Sequence, residues 1–234
     1  MSPVIGIVLR VEYPGNTNNL IVNEEYRNAI IKNGAIPLGI LPPQTINYTS
    51  VKYNDQEELT KKEKNIIIRQ IKMCDGVLLP GGFKINKYDR FILEYLIKED
   101  IPTLGICLGM QVMSNYKREN LWNERNSSLI NHKGEGYMHS VTLDKSSKLY
   151  SIIKKEKFEV TSRHNYHVLP NDYYDIVGVS SDNYIEAIEM KNQNYHIGIQ
   201  WHPESIADDI SKKIFNSFIK ACSLNDKKEK SDKK

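Results

Sequence analysis

Four short runs rich in apolar residues, at 4–9, 35–41, 75–79 and 102–107, constrain the fold of this chain more than any other feature. Each is too short for a typical helix, and none shows the steady polar alternation of a half-solvated strand. Turn residues follow, Pro42-Pro43 after the second run and Pro80-Gly81-Gly82 after the third. That is the pattern of strands buried on both faces of a parallel sheet. Between the runs lie amphipathic stretches at about 23–32, 64–73 and 88–98, the last carrying Phe91, Ile92, Tyr95 and Leu96 at helical spacing. A strand, a helix and a second strand within the first forty or so residues imply a parallel crossover unit. Its repetition predicts an α/β fold, a doubly wound, mostly parallel sheet with flanking helices. After Tyr116 the texture changes, and segments 137–143, 158–162, 176–180, 185–190 and 195–200 read as strands joined by short polar turns. The C-terminal half is therefore expected to be β-rich. A last helix over 211–222 shows Ile214, Phe215, Phe218, Ile219 and Cys222 as one apolar stripe.

A chain of 234 residues with 40% hydrophobic content can build one substantial core, so a single domain over 1–224 is expected. Residues 225–234, with five lysines, read as a charged, disordered tail. Lysines and arginines exceed acidic residues by a formal +3, and the tail supplies most of that excess, so no nucleic-acid partner is expected. The three cysteines, Cys74, Cys107 and Cys222, have no CxxC spacing, which suits a reducing, cytoplasmic location. No run approaches the roughly 18 apolar residues that a membrane span requires, so no membrane partner is expected.

The strand at 102–107 ends in Gly105-Ile106-Cys107-Leu108-Gly109-Met110-Gln111, where a buried strand breaks at a cysteine and resumes as a glycine-bounded helix start. This is the pattern of a nucleophile elbow. A helix N-terminus offers unpaired N–H groups and positive potential, which lower a thiol pKa and stabilise an oxyanion. Downstream, Gly198-Ile199-Gln200-Trp201-His202-Pro203-Glu204 places an imidazole and a carboxylate two residues apart beyond another apolar strand. Cys107, His202 and Glu204 are therefore the expected catalytic triad: nucleophile, general base and acid, and orienting carboxylate. The amides of Gly82 and Leu108 are the expected oxyanion hole.

In these motifs the chain resembles the class I glutamine amidotransferase superfamily, which combines a G-x-C-x-G-x-Q elbow with a downstream H-P-E. The resemblance covers about residues 4–222 and implies a flavodoxin-like sheet. Within the superfamily the chain looks most like the γ-glutamyl-γ-aminobutyrate hydrolase branch, through Ile5-Gly6-Ile7, Asn33-Gly34-Ala35-Ile36-Pro37-Leu38 and Val160-Thr161-Ser162-Arg163-His164, with His132 and His139 similar to that branch's paired histidines. The resemblance implies a cysteine-dependent hydrolase that cleaves a small γ-glutamyl amide through a thioester, with Gly81, Gln111, Ser162 and His164 binding substrate. Two positions depart from the branch, which commonly has Arg after the nucleophile and Gln two residues after the second histidine, where this chain has Leu108 and Tyr166. Leu after the nucleophile is usual in ammonia-donating amidotransferases, so the alternative is a glutaminase subunit feeding a separate synthase. A catalytically silent binding protein on the same fold is a third reading. No cofactor is expected and no metal either, since the His164-x-x-His167 spacing on a strand end does not converge on one ion. The expected partner is a small γ-glutamyl substrate, with a homodimer or a synthase partner left open.

Overall fold

The computed structural model describes residues 2–12, 19–43, 52–118, 123–125, 132 and 137–231, with backbone alone at 12, 123–125 and 225–231. Its strands are β1 (Val4–Val8), β2 (Arg10–Glu12), β3 (Asn19–Ile21), β4 (Ile36–Ile40), β5 (Gly76–Leu79), β6 (Thr103–Ile106), β7 (Asn123–Arg125), β8 (Met138–Leu143), β9 (Lys157–Thr161), β10 (Tyr166–Val168), β11 (Tyr174–Ser180), β12 (Ile185–Met190) and β13 (His196–Ile199). The helices are α1 (Glu24–Lys32), α2 (Lys61–Ile71), α3 (Lys87–Lys98), α4 (Leu108–Ser114), α5 (Lys148–Ile153) and α6 (Asp209–Ser231). Among these helices, none is long and apolar enough to cross a membrane.

One sheet of nine strands, ordered β4-β1-β5-β6-β13-β12-β11-β8-β9, organises the molecule. Its first five strands run parallel, and β12, β11, β8 and β9 continue it by antiparallel pairing. The expected parallel half and β-rich C-terminal half are thus parts of a single sheet. Successive residues of the central strands enter opposite cores, as the pleat requires. Leu78 joins Ile5, Leu104, Ile106 and the α6 stripe of Ile214, Phe215 and Phe218 on one face. Val77 and Leu79 join Ile67, Tyr88, Ile92, Leu96 and Met110, from α2, α3 and α4, on the other.

Several boundaries differ from expectation for identifiable reasons. Helix α2 begins at Lys61 rather than near residue 64 because Thr60 and Glu63 form a reciprocal capping box. The backbone of α6 runs to Ser231, nine residues past the end of the apolar stripe at Cys222. The stripe marked where packing stops, and the polar sequence beyond it holds few helix breakers. Helix α5, capped by Ser147, and the small ribbons β2–β3 and β7–β10 carry too little apolar periodicity to be read from sequence. Pro14-Gly15, a turn-forming pair that follows the first apolar run, lies outside the described residues.

Candidate active site

The catalytic candidates meet because three parallel strands end together. β5, β6 and β13 are neighbours, with Leu79 opposite Gly105 and Gly105 opposite Gly198. The residues leaving each strand enter one crevice beyond the carboxyl edge, where open α/β sheets place their ligands. β5 delivers Pro80-Gly81-Gly82, β6 delivers Cys107, and β13 delivers His202 and Glu204.

Cys107 has φ 53° and ψ −107°, a left-handed conformation that residues other than glycine seldom adopt. Both of its peptide groups are pinned: its N–H donates to Ile199 O at 2.8 Å, and its C=O accepts from Gln111 N at 3.1 Å in the first turn of α4. Sheet and helix together hold the strain. The turn also needs α4 to lie directly against β5. A Cβ at Gly109 would stand 2.0 Å from the Leu79 carbonyl oxygen, which excludes any side chain there.

On the opposite wall, His202 Nδ1 lies 2.5 Å from Glu204 Oε1, with both side chains almost fully buried. The imidazole therefore donates from Nδ1 and turns Nε2 to the nucleophile. Among the described residues no hydrogen bond of ordinary geometry closes on Nε2, and its coupling to Cys107 is first coulombic and then a hydrogen-bond contribution. Burial disfavours the charged imidazolium, yet the Cys107 and Glu204 charges outweigh it and raise His202 to about 10. Burial likewise opposes the Cys107 thiolate, but the His202 charge prevails and lowers the thiol below its ordinary value. Each charge thus favours the other, the imidazolium stabilising the thiolate and the thiolate the imidazolium.

A cavity of about 490 Å³ opens over this pair, lined among others by Arg10, Tyr26, Gly81, Gly82 and Arg163. That is ample for an amino-acid-sized ligand. A Cβ at Gly81 would lie 2.8 Å from the Tyr26 hydroxyl oxygen, 3.3 Å from His202 Cε1 and 3.6 Å from Cys107 Cβ, so a side chain there would displace Tyr26 and touch both catalytic side chains. Gly82 stands against Leu108, where an added Cβ would come within 3.0 Å of Leu108 Cδ2. The two expected oxyanion-hole residues are thus adjacent at the mouth of α4.

Other expected site residues are placed elsewhere. Gln111 is buried under the elbow, and its Nε2 donates to Tyr166 O and Gln200 Oε1, each at 3.3 Å. Ser162 and His164 do not line the cavity either; both turn into a buried histidine cluster with His132. In each case polar partners inside the protein compete successfully with the cleft. Conversely, Arg10 and Tyr26 reach the cavity although no motif contained them, and so does Arg163, which the 160–164 motif contained without assigning it a role. Arg10 pairs with Asp89, and its Nη2 donates to Pro80 O at 2.8 Å, clamping the glycine turn. The Tyr26 hydroxyl accepts from Gly81 N at 2.9 Å, and burial, then the Glu204 and Cys107 charges, keep its phenol protonated. A charged residue directly after the apolar run at 4–9 was the one available signal for Arg10.

The glutamine amidotransferase class-I family matches residues 44–221. The chain belongs to that family. Its relatives include the CTP synthase of Methanosphaera stadtmanae, 30% identical over 196 residues that make up 69% of this chain and 36% of that protein. The chain therefore spans little more than a third of that relative. A Schizosaccharomyces pombe protein, "Putative glutamine amidotransferase PB2B2.05", is 28% identical and aligns over 88% of this chain and 83% of its own length. Among solved structures, the CTPS glutaminase domain of Trypanosoma brucei with bound acivicin superposes with a TM-score of 0.63 at 18% identity, covering 95% of this chain and 94% of that one. The prominence of CTP synthases leaves the narrower γ-glutamyl-γ-aminobutyrate hydrolase assignment unsupported and favours the amidotransferase alternative.

Proposed function

We propose that this class-I amidotransferase domain is a glutaminase that releases ammonia for a synthase. The observation that carries the reading is the buried Cys107, His202 and Glu204 constellation facing a glycine-floored cavity. The Cys107 thiolate adds to the γ-amide carbonyl carbon of glutamine, and the resulting oxyanion accepts hydrogen bonds from the Gly82 and Leu108 amides. His202 gives its Nε2 proton to the leaving nitrogen, so ammonia departs and a γ-glutamyl thioester remains. His202 then takes a proton from water, whose hydroxide attacks the thioester carbonyl. Collapse returns the thiolate and yields glutamate. Glu204 holds the Nδ1 tautomer throughout, and Arg163, a cation at the cavity wall, is the counter-charge offered to the substrate carboxylate. Leu108 and the similarity to CTP synthases support ammonia donation to a synthase on another chain or domain.

A second reading, a free-standing hydrolase of substituted γ-glutamyl amides, is favoured by the 160–164 motif. One assay separates them. Glutamate release from glutamine, rising several-fold when a synthase partner is added, supports the first; preference for an N-substituted γ-glutamyl amide, with glutamine poorly used, supports the second. Undiminished turnover in Cys107→Ala would remove both.

A further inference from the structure

Apart from the triad, the described residues hold one other convergent set of buried ligand-type groups. His132, His139, His164 and Glu186 are all buried, and their ligand atoms lie within 4.8 Å of one another. His164 Nε2 is 3.2 Å from His132 Nδ1 and 3.4 Å from Glu186 Oε1, which stands 3.4 Å from His139 Nε2 and 3.7 Å from His132 Nδ1. Bonds of 2.0–2.1 Å from a central zinc in tetrahedral geometry would separate its ligands by about 3.3 Å. Four of the six separations, at 3.2–3.7 Å, are close to that value, and all six lie within 4.8 Å, so a small inward movement of the side chains would complete a coordination shell.

The outward nitrogens support the same conclusion. His132 Nε2 is 2.8 Å from Asp182 Oδ2, His164 Nδ1 is 3.0 Å from Tyr166 O, and His139 Nδ1 faces Ser140 O at 3.5 Å. Each imidazole can thus place its N–H outward on an oxygen, which leaves the opposite lone pair pointing inward, the arrangement seen around metal-bound histidines. The Ser162 hydroxyl, 3.1 Å from the His132 carbonyl, can donate there and leave Nδ1 open. Both Glu186 oxygens and His139 Nε2 lack a hydrogen-bond partner among the described residues, at a carboxylate that is fully buried. Inward lone pairs facing a buried carboxylate are costly together, and a cation between them removes that cost. A divalent ion with Glu186 and nearby Asp182 would also balance the local charge.

We propose that His132, His139, His164 and Glu186 bind one divalent transition-metal ion, zinc by ligand type and geometry. Four buried protein ligands leave no open position, so the ion is structural. It ties residue 132, β8, the turn after β9 and β12 into one unit. The turn reaches the active site through the Tyr166 carbonyl, which faces both His164 Nδ1 and Gln111 Nε2 of the elbow helix. This departs from the metal-free expectation, which weighed His164 only against His167. The proposal stands independently of which amide the enzyme hydrolyses.

The test is elemental analysis of the tag-free full chain expressed with zinc, together with zinc-edge X-ray absorption. About one zinc per chain is expected, with a four-coordinate shell of nitrogen and oxygen near 2.0 Å. Glu186→Gln and His139→Gln should each lower the zinc content at least tenfold while keeping the wild-type circular dichroism spectrum. Should either variant fail to fold, the absorption spectrum of the wild type decides alone. Folded wild-type protein that carries no zinc and gains no thermal stability from added zinc would overturn the proposal. A sulfur ligand in the shell, or unchanged zinc in folded variants, would do the same.

Discussion

Replacing Gly109 by alanine tests the structural logic of the elbow directly. The added Cβ would stand 2.0 Å from Leu79 O and 2.7 Å from Leu79 C, both backbone atoms that no rotamer change can move aside. An ordinary carbon–oxygen contact needs more than 3 Å, so α4 must retreat from β5 by roughly an ångström. Overpacking of this kind costs about 1–3 kcal/mol, and a backbone clash belongs at the upper end. At about 2–4 °C per kcal/mol for a chain of this length, the melting temperature should fall by roughly 6–12 °C. The same retreat displaces the Leu108 amide and the Cys107 thiolate from their partners on β5 and β13. Misplacement by an ångström can lower turnover about 100-fold. Differential scanning fluorimetry and glutamate release, measured on one preparation well below the variant's melting temperature, would read both effects. A Gly109→Ala protein with wild-type melting and turnover would refute the claim that close contact between α4 and β5 sets the nucleophile.

The charge pairing at the site predicts a pH signature. Because His202 lowers the Cys107 thiol against the opposing effect of burial, iodoacetamide labelling of Cys107 should persist at pH values below the ordinary thiol range and fail only as the thiolate protonates. In His202→Asn the stabilising charge is gone and burial remains, so the labelling curve should shift upward past the ordinary thiol value of about 8.5; an unchanged curve would contradict the pairing. On the alkaline side, turnover should decline as His202 loses its proton near about 10. Arg10→Met should destabilise the fold by about 3 kcal/mol, because it strands the fully buried Asp89 and frees the Pro80 carbonyl. Burial already raises Asp89 against the pull of Arg10, so proton uptake by Asp89 should make that loss smaller at acid pH, as chemical denaturation at two pH values would register.

Local pattern determined much of this protein. The apolar runs marked the four strands of the N-terminal parallel half, because a strand covered on both faces tolerates few polar residues. The elbow glycines and the His202-Pro203-Glu204 motif announced the chemistry, because a strand-to-helix turn imposes its own local rules on residue type. What the sequence left open were long-range choices. Only the register of β5, β6 and β13 brings Gly82, Cys107 and His202 to one crevice, since pairing between strands far apart in sequence leaves no local signature. Tertiary structure also moved Ser162 and His164 away from the cavity and put Arg10, Tyr26 and Arg163 on its wall. Glu186 is the clearest case: within β12 it reads as one of two glutamates in a mostly apolar strand, and folding surrounds it with three imidazoles. The physical reason is that burial and lone-pair direction depend on what other segments place nearby, and a one-dimensional pattern does not contain that information.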